Sequence, residues 1–504
     1  AGADEYVYIT LDVEITGGTT PVNPRAIAEF ESMEGVLVRY PFGVPVSLIA
    51  EMSEDVMITT IVANAGEEAT VTSTYGSNGV NMSNCNFEYS PTDTYWIRDY
   101  GPWWVEDGSD DVAITDYTYN RSRPNDNAIP GEMATFLSEN LYLMGLEHTG
   151  GNYMCDGMGI AASTQLVWEE NSSLSHAEID QIVNDYLGIQ TYHVVPDPNG
   201  TYIDHIDCWG KFLDVDKLLI REVPASHSQY DEIEATVDYF ETQTSSYGTP
   251  YEIYRVYTPN DEPYTNSLIL NDKVFVPTMS SSWDDDAIAL YESAMPGYEV
   301  LGFYYSSWQS TDALHCRLRG TANREMLYIN HIPISGTVLN RADYEINATI
   351  VPYSGQPVYN DSLLVYYKVD GGVYTSVPMI STGGNNYQGI IPEQAGGSQI
   401  DYYIHAEDQS GQSANHPLIG AFDPHIFNVS GQPGAPVNVQ IQIVSGNVQL
   451  SWDAVTGATS YNIYSSDYPD SGFTLEASSI TDTFWTTTIP GGVSKKFYHV
   501  TAEN

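Results

Sequence analysis

The sequence predicts a mixed α/β fold built from repeated helix–strand units, followed by two β-sandwiches. Between about residues 5 and 332, short amphipathic helical patterns alternate with short apolar strand patterns. After Pro333 the helical pattern stops and period-two strand patterns replace it. A Gly- and Pro-rich segment then interrupts the strand-rich part. We therefore predict an α/β domain at 1–333, a sandwich at 334–430, a linker at 431–436 and a second sandwich at 437–504.

The first region repeats one supersecondary unit, a helix followed by a strand. Its first helix is predicted to start at Asn23 and Pro24, because proline is favoured at the first helical position, and to end at Met33 before a strand at 36–40. One further helix is predicted at 131–143. The other predicted pairs are 46–53 with 56–63, 175–187 with 190–195, 228–244 with 251–257, and 284–295 with 298–303. Several copies of one unit suggest a ring with a site at its centre.

Three consecutive aspartates, Asp284, Asp285 and Asp286, open the last of these helices. Such a cluster can resemble a metal site, but carboxylates in a first turn also cap a helix and complement its dipole. We therefore interpret them as a helix start.

The C-terminal third has the sequence features of small β-sandwiches. Strand patterns at 363–369 and 400–406, with a Gly-Gly turn at 371–372, predict paired strands. The strings Leu-Ser-Trp at 450–452 and Tyr-Asn-Ile-Tyr at 461–464 resemble strands of a fibronectin type III module. Because such modules are typical of secreted proteins, we expect a secreted or cell-surface protein in its mature form, without a signal peptide in this chain.

The composition excludes some classes of partner. The chain has 67 Asp and Glu residues against 17 Lys and Arg, with a formal net charge of −50. Nucleic-acid binding requires clustered basic residues, so we predict no nucleic-acid partner and expect attraction for cationic ligands. Apolar runs are all shorter than the roughly 18 residues of a membrane span.

Cysteine is sparse, with Cys85, Cys155, Cys208 and Cys316 as its four occurrences. This number is too small for a disulfide framework, and the spacing is not that of metal ligands. A bridge between Cys85 and Cys155 is conceivable, but small buried side chains are the more typical role of cysteine.

Four polar residues, Asp99, His205, Asp207 and Cys316, lie in unusual local strings. Asp99 is in Tyr-Trp-Ile-Arg-Asp-Tyr-Gly-Pro-Trp at 95–103, and His205 and Asp207 are in Asp-His-Ile-Asp-Cys-Trp-Gly at 204–210. Cys316 is in Ala-Leu-His-Cys-Arg at 313–317. A thiol, an imidazole and two carboxylates suggest nucleophilic attack on a cationic carbon.

The string at 204–210 is predicted to be a strand, in which His205 and Asp207 share one face while Cys208 points to the other. This favours Cys316 as the reactive thiol. On an extended chain His315 diverges from Cys316, so we expect His205 to activate the thiol across space.

These strings, together with those at 119–126, 149–159 and 264–271, resemble the Porphyromonas-type bacterial peptidylarginine deiminases. That family is related to the agmatine deiminases within the guanidino-modifying superfamily. The resemblance covers roughly residues 5 to 430, and implies a five-bladed α/β propeller of the pentein type, followed here by the Ig-like and fibronectin type III-like sandwiches.

The resemblance also implies a role for each matching residue. Cys316 is the implied nucleophile, His205 the general acid/base, and Asp99 and Asp207 the guanidinium ligands, with Asn266 in the same pocket. The residues implied to hold the rest of the substrate are Trp96, Tyr202 and Ile203 around the arginine stem, and Arg121 and Arg123 at the α-carboxylate. The implied reaction converts a peptide's C-terminal arginine to citrulline, releasing ammonia through a covalent thiouronium.

Arg121 and Arg123 are the residues that decide the substrate. At i and i+2 on an extended segment they would face one way, and a pair of guanidinium groups suits a carboxylate. The alternative from the residues alone is that they pair with the many carboxylates of this chain.

Other functions compete with this interpretation. An agmatine or free-arginine deiminase keeps the chemistry and changes the ligand, and a non-catalytic adhesin would act through its sandwiches. A metal-dependent hydrolase is less consistent with the sequence, because His205 lacks a second histidine at ligand spacing. We expect no required cofactor, although acidic loops could bind structural calcium. Composition and motifs leave the oligomeric state open.

Overall fold

The computed structural model describes residues 20–489, 491 and 495–503. The chain divides into two compact units, Ala1–Arg324 and Glu325–Asn504. The predicted start of the helix–strand pattern near residue 5 lies outside the described residues. Within the described part, no helix has the length and apolar character needed to span a membrane.

Unit 1 combines short strands with short helices. Its strands are β1 (Arg25–Ala26), β2 (Met33–Arg39), β3 (Met57–Val62), β4 (Cys85–Tyr89), β5 (Trp103–Glu106), β6 (Val112–Tyr119), β7 (Leu141–His148), β8 (Met154–Cys155), β9 (Ile160–Thr164), β10 (Thr191–Val195), β11 (Gly210–Phe212), β12 (Lys217–Glu222), β13 (Glu252–Tyr257), β14 (Leu268–Leu270), β15 (Lys273–Thr278), β16 (Glu299–Tyr304) and β17 (Arg319–Ala322). Its helices are α1 (Val46–Met52), α2 (Ala65–Ser77), α3 (Ile97–Tyr100), α4 (Pro124–Asn127), α5 (Ile129–Leu137), α6 (Leu166–Glu170), α7 (His176–Leu187), α8 (Tyr230–Glu241) and α9 (Asp284–Ala294).

The described strands of unit 1 form five small sheets, with the orders β1-β5-β6-β7, β10-β9-β8, β11-β12-β13, β14-β15-β16 and β17-β2-β3-β4. Each sheet contains the same motif, in which a short strand pairs antiparallel with a second strand and that strand pairs parallel with a third beyond a helical crossover. In the last sheet β17 pairs with β2, so the two ends of the unit share one sheet. The middle strands β9, β12 and β15 are buried along most of their length, as parallel strands covered on both faces require.

Most of the predicted helix–strand pairs are confirmed. The helices predicted at 46–53, 175–187, 228–244 and 284–295 correspond to α1, α7, α8 and α9, and each precedes the predicted strand. The aspartates of α9 occupy its first turn, as expected from the helix dipole.

The predicted helix from Asn23 to Met33 is wrong. Arg25–Ala26 pairs with β5, and the Arg25 guanidinium donates to Glu31 at 2.6 Å, so the segment is held by tertiary contacts rather than by helical bonds. The helix predicted at 131–143 ends early, at Leu137, because Ser138 adopts a left-handed conformation (φ 62°) and β7 begins at Leu141.

Unit 2 consists of strands and short turns. Its strands are β18 (Leu327–Asn330), β19 (Gly336–Asn340), β20 (Asp343–Pro352), β21 (Leu364–Val369), β22 (Thr375–Gly383), β23 (Asn386–Pro392), β24 (Gln399–Glu407), β25 (Ser413–His416), β26 (His425–Pro433), β27 (Gln440–Val444), β28 (Asn447–Ser451), β29 (Ser460–Ser466), β30 (Thr474–Ile480), β31 (Phe484–Thr488) and β32 (Phe497–Glu503). The predicted pairing of 363–369 with 400–406 is observed as the antiparallel pair β21 and β24. Strand β26 continues to Pro433, into the segment predicted as a linker.

Two apolar clusters organise unit 2. One surrounds the fully buried Tyr344, Tyr402 and Phe427, and the other contains Trp452 and Ile463. The strands β27, β28 and β31 form one small sheet, and β30, β29 and β32 form another. The domain bounds at 333 and 430 remain predictions.

Candidate active site

Four predicted site residues and one glycine lie at equivalent places in the five sheets. Asp99, in α3, precedes β5, the first strand of its motif. Asp207, Asn266 and Cys316 precede β11, β14 and β17 in the same way. Gly151 precedes β8, in a 3-10 turn at Gly150–Asn152. Each sheet therefore contributes one residue from the turn before its first strand.

Cys316 lies in a 3-10 turn at His315–Arg317 and is 2% exposed. The Asn266 amide Nδ2 donates to Cys316 Sγ at 3.2 Å, and Asn266 Oδ1 accepts from the Cys316 backbone N–H at 3.2 Å. Asp207 Oδ2 lies 3.6 Å from the sulfur. Burial, Asp207, Asp312 and Asp99 raise the pKa of the Cys316 thiol well above its ordinary value, so the resting sulfur is protonated.

The two predicted guanidinium ligands differ in acidity. Burial and the nearby Asp207 raise the pKa of Asp99 well above its ordinary value. Burial acts in the same direction on Asp207, but the 2.8 Å hydrogen bond with His315 Nδ1 and the charges of His315, His205 and Arg98 together outweigh it and lower the Asp207 pKa. Asp207 is therefore the more acidic carboxylate of the pair, and Asp99 keeps its proton to higher pH.

His205 is 1% exposed, and its Nδ1 lies 3.7 Å from Asp99 Oδ1. Burial lowers its pKa to about 4, although Asp207 acts to raise it, so the resting imidazole is neutral. Among the described residues, no group forms a hydrogen bond with either ring nitrogen of His205 or with Asp99 Oδ1. Buried polar atoms are normally paired, so these atoms are suited to a polar ligand between them.

Gly151 borders the same space. A Cβ atom at this position would lie 2.6 Å from His205 Nδ1, 2.7 Å from Asp99 Oδ1 and 3.2 Å from Asp207 Oδ2. The three polar groups therefore converge on one glycine, and any side chain there would displace them. The sequence resemblance at 149–159 indicated this loop, but the role of Gly151 became clear only from the structure.

Arg121 and Arg123 follow the end of β6 and both act electrostatically on Asp99. The prediction that they lie on an extended segment is wrong. The Arg123 N–H donates to the Arg121 carbonyl at 2.7 Å and folds the chain into a tight turn. The Arg123 guanidinium stacks 4.7 Å above the ring of Trp96. Arg121 Nη1 is 3.8 Å from Glu170 Oε1, too far for a hydrogen bond.

Tyr202 leaves 88% of its surface in solvent, so it does not form a packed wall with Trp96 in this state. Ile203 beside it is half-buried. Both precede His205 in the chain, at the exposed end of the site.

The strand predicted at 204–210 is wrong. Ile206–Cys208 forms a 3-10 turn, and β11 begins only at Gly210. His205 and Asp207 still reach the common space, but through this turn rather than through strand alternation. Cys208 does not point away from the site, since its sulfur is 3.6 Å from Asp207 Oδ1. All four cysteines are free.

A buried ionic cluster lies behind Asp207 and was largely missed from sequence. His315 Nε2 lies 2.7 Å from Glu29 Oε2, and Glu29 also pairs with Arg98 at 2.7 Å and Lys211 at 2.6 Å. Arg98, the neighbour of Asp99 in the chain, thus belongs to this ion-pair cluster. The described residues contain no cluster of His, Cys, Asp and Glu arranged to hold a metal ion.

Known proteins resemble this chain in sequence and share its fold. The model of the Porphyromonas-type peptidyl-arginine deiminase family matches residues 26–317. An agmatine deiminase of Pseudomonas putida is 23% identical over an alignment of 255 residues, and the match covers 42% of this chain and 69% of that protein. The agmatine deiminase structure of Enterococcus faecalis covers 61% of this chain and 98% of its own, with a TM-score of 0.55 and 17% identity. That of C. jejuni covers 60% and 96%, with a TM-score of 0.51 and 17% identity.

The structural neighbours show a shared pentein-like deiminase fold, and the family match extends over more than half of the chain. The protein therefore belongs to the Porphyromonas-type peptidyl-arginine deiminase family of guanidino-group deiminases.

Proposed function

We propose that the protein converts C-terminal arginine of peptides or proteins to citrulline, with Cys316 as the nucleophile. The observation that carries this proposal is the set of buried polar atoms without partners, Asp99 Oδ1 and both nitrogens of His205, beside the Asp207 carboxylate. A guanidinium has five N–H donors in one plane, and two carboxylates on its edges can bind it bidentately.

We also infer that the five sheets are the blades of a five-bladed α/β propeller. The repeated motif and the pairing of β17 with β2 support a closed ring, with the turns before the first strands around its axis. We infer that unit 2 holds an Ig-like and a fibronectin type III-like sandwich, which would suit a secreted or cell-surface protein.

Substrate binding sets the charges for reaction. The ionised Asp207 attracts the guanidinium, and the bound cation favours loss of the proton from Asp99. The same cation lowers the pKa of the Cys316 thiol, which burial and three nearby acidic groups raise in the free protein. The reactive thiolate is therefore formed with the substrate's assistance.

In the first half-reaction Cys316 Sγ forms a bond to the guanidinium carbon while its proton passes to His205. The tetrahedral adduct then breaks one C–N bond, and His205 returns the proton to the departing nitrogen, which leaves as ammonia. A positively charged thiouronium remains on Cys316. Asn266, which holds both the sulfur and the backbone of Cys316, keeps the nucleophile in place.

In the second half-reaction water attacks the same carbon. Neutral His205 accepts a proton from the water, the new C–O bond forms, and the C–S bond breaks. The sulfur recovers a proton, the second proton leaves to solvent, and the ureido group of citrulline departs uncharged.

Arg121 and Arg123 support a substrate with a free α-carboxylate. Arg123 is fixed by Trp96 and by a 2.9 Å hydrogen bond to Tyr119, whereas Arg121 keeps a 36% exposed side chain near the entrance. Agmatine lacks the carboxylate that these two groups would bind.

The test compares ammonia release from a peptide ending in arginine, a peptide with internal arginine, free arginine and agmatine. We expect the first to give the highest kcat/KM and a mass gain of about one dalton, lost in Cys316→Ala and kept in the control Cys85→Ala. Replacing Arg121 and Arg123 together by alanine should raise KM for the C-terminal arginine peptide and for free arginine, which also has an α-carboxylate, but not for the internal-arginine peptide or agmatine. Highest kcat/KM with agmatine would refute the substrate, and full activity of Cys316→Ala would refute the mechanism.

A further inference from the structure

We propose that His315 is a positioning residue for this reaction, which orients the Asp207 carboxylate and maintains its negative charge for the incoming guanidinium. The inference rests on the proposed function and extends it to a residue that does not touch the substrate. His315 acts through Asp207.

The geometry places His315 between two carboxylates. Its Nδ1 is 2.8 Å from Asp207 Oδ2 and its Nε2 is 2.7 Å from Glu29 Oε2, and the side chain is 6% exposed. Each contact needs one proton between its two heavy atoms, because ionised carboxylates only accept hydrogen bonds. Because Asp207 and Glu29 are both carboxylates, the two short contacts form together only when each ring nitrogen of His315 carries a proton. Glu29 and Asp207 favour this form, against the burial, Arg98 and Lys211 that lower the pKa of His315.

Glu29 has its own cationic partners, Arg98 at 2.7 Å and Lys211 at 2.6 Å, and its pKa is held well below the ordinary value despite burial. It therefore remains a carboxylate and fixes the far side of the imidazole. The Arg98 and Lys211 side chains are 3% and 7% exposed, so solvent screens this anchor only weakly.

The near side of the imidazole fixes Asp207 Oδ2, the same oxygen that lies 3.6 Å from the Cys316 sulfur. Among the described residues Asp99 Oδ1 accepts no hydrogen bond, whereas the His315 bond helps to hold the pKa of Asp207 below that of Asp99. His315 thus favours a negative charge on Asp207, to which a cationic substrate is attracted.

Two amide substitutions separate the two contacts. The amide nitrogen of asparagine can take the place of Nδ1, so His315→Asn keeps a donor for Asp207 and loses the contact with Glu29. The amide nitrogen of glutamine can take the place of Nε2, so His315→Gln keeps the contact with Glu29 and leaves Asp207 without its donor. His193→Gln is the matched control, since His193 is also buried in unit 1 and bonds only Tyr239 among the described contacts.

Steady-state kinetics with the peptide ending in arginine measures the effect. We expect KM to rise less than about threefold in His315→Asn and at least about tenfold in His315→Gln, because a buried carboxylate without its donor loses a charge-assisted bond. The acid limb of kcat/KM should move to higher pH in both variants and further in His315→Gln. The control should keep the wild-type KM and pH profile.

Thermal unfolding of each variant separates folding from function. A merely structural role for His315 predicts that both variants lose activity in proportion to their loss of Tm, with unchanged pH profiles, and this result would overturn the inference. If neither variant folds, proton NMR of the wild type tests the arrangement. Two slowly exchanging low-field protons should be observed on the His315 ring, and observation of a single such proton would refute the arrangement. A wild type that releases no ammonia from any guanidino compound would refute the proposed function itself.

Discussion

Substitution of Gly151 by alanine tests the site geometry with the smallest possible change. The new methyl carbon would lie 2.6 Å from His205 Nδ1 and 2.7 Å from Asp99 Oδ1. Ordinary contacts between carbon and a polar atom are about 3.4 Å, so both groups must retreat by roughly 0.7 Å. The backbone at Gly151 is not in the left-handed region, so alanine adds no conformational strain of its own.

A displacement of this size should be costly for catalysis and cheap for folding. Misplacing reacting groups by about 1 Å lowers rates by about 10²-fold, which corresponds to about 2.7 kcal/mol in the activation barrier. We therefore expect kcat/KM of Gly151→Ala to fall by between 10-fold and 10²-fold, mostly through kcat, because His205 must be aligned in the transition state.

Initial rates of ammonia release over a range of peptide concentrations separate kcat from KM, and Tm reports folding. Gly76→Ala is the matched control, because Gly76 lies in α2 and an added Cβ there meets no atom within 4 Å. Wild-type kcat/KM in a folded Gly151→Ala protein would refute the convergence of the three groups. A fall in Tm as large as that caused by a cavity in the protein core would show that the substitution acts on folding rather than on the site.

Three further predictions follow from protonation. Because the Asp99 pKa is raised in the free protein, binding of an arginine peptide to Cys316→Ala should release a proton. Calorimetry in two buffers of different ionisation enthalpy measures this release. The double variant Cys316→Ala with Asp99→Asn should release no proton on binding. Burial raises the pKa of Glu170, which lies beside Arg121, to about 7. Ionisation of Glu170 above that pH should therefore raise KM for the peptide but not for agmatine. The rise should be absent in Glu170→Gln and still present in the control Glu169→Gln. Burial lowers the pKa of His331 in unit 2 from 6.5 to about 4. Between these pH values the unfolded state binds more protons than the folded state, so the free energy of unfolding should fall by about 3 kcal/mol from pH 6.5 to pH 4. Denaturant titrations that give the same free energy of unfolding at both pH values would contradict this prediction.

Local sequence patterns predicted an element reliably where the residues that start and end it all lie within that element. Helix α7 was predicted within one residue because Ser175 and Glu178 form a capping box and Gly188 ends the helix with a left-handed conformation (φ 70°). At Asn23 and Pro24 a similar helix start was misleading, since Arg25 instead binds Glu31 and the Gly157 carbonyl across 132 positions. No property of the residues around 25 indicates that distant partner.

The candidate site shows the same division. Asp99, His205, Asp207 and Cys316 were identified from their strings and do converge, but the expected strand at 204–210 was replaced by a turn. His315 was judged only by its neighbour Cys316, whereas its partners, Asp207 and Glu29, are 108 and 286 positions away. Glu29 lies in a segment with no unusual local sequence, so its role depends entirely on tertiary structure.

The repeat itself explains how chemistry spread over more than two hundred positions can form one site. Each sheet offers the turn before its first strand, and five carboxylates at these five equivalent places would repel one another in a space without water. The turns instead present a glycine, an amide, a thiol and two carboxylates, namely Gly151, Asn266, Cys316, Asp99 and Asp207. In the proposed mechanism Asp207 ionises before Asp99, and the substrate's cation then favours ionisation of Asp99 as well. Binding and activation of the thiol would thus be coupled through charge, and removal of either carboxylate should weaken both steps together.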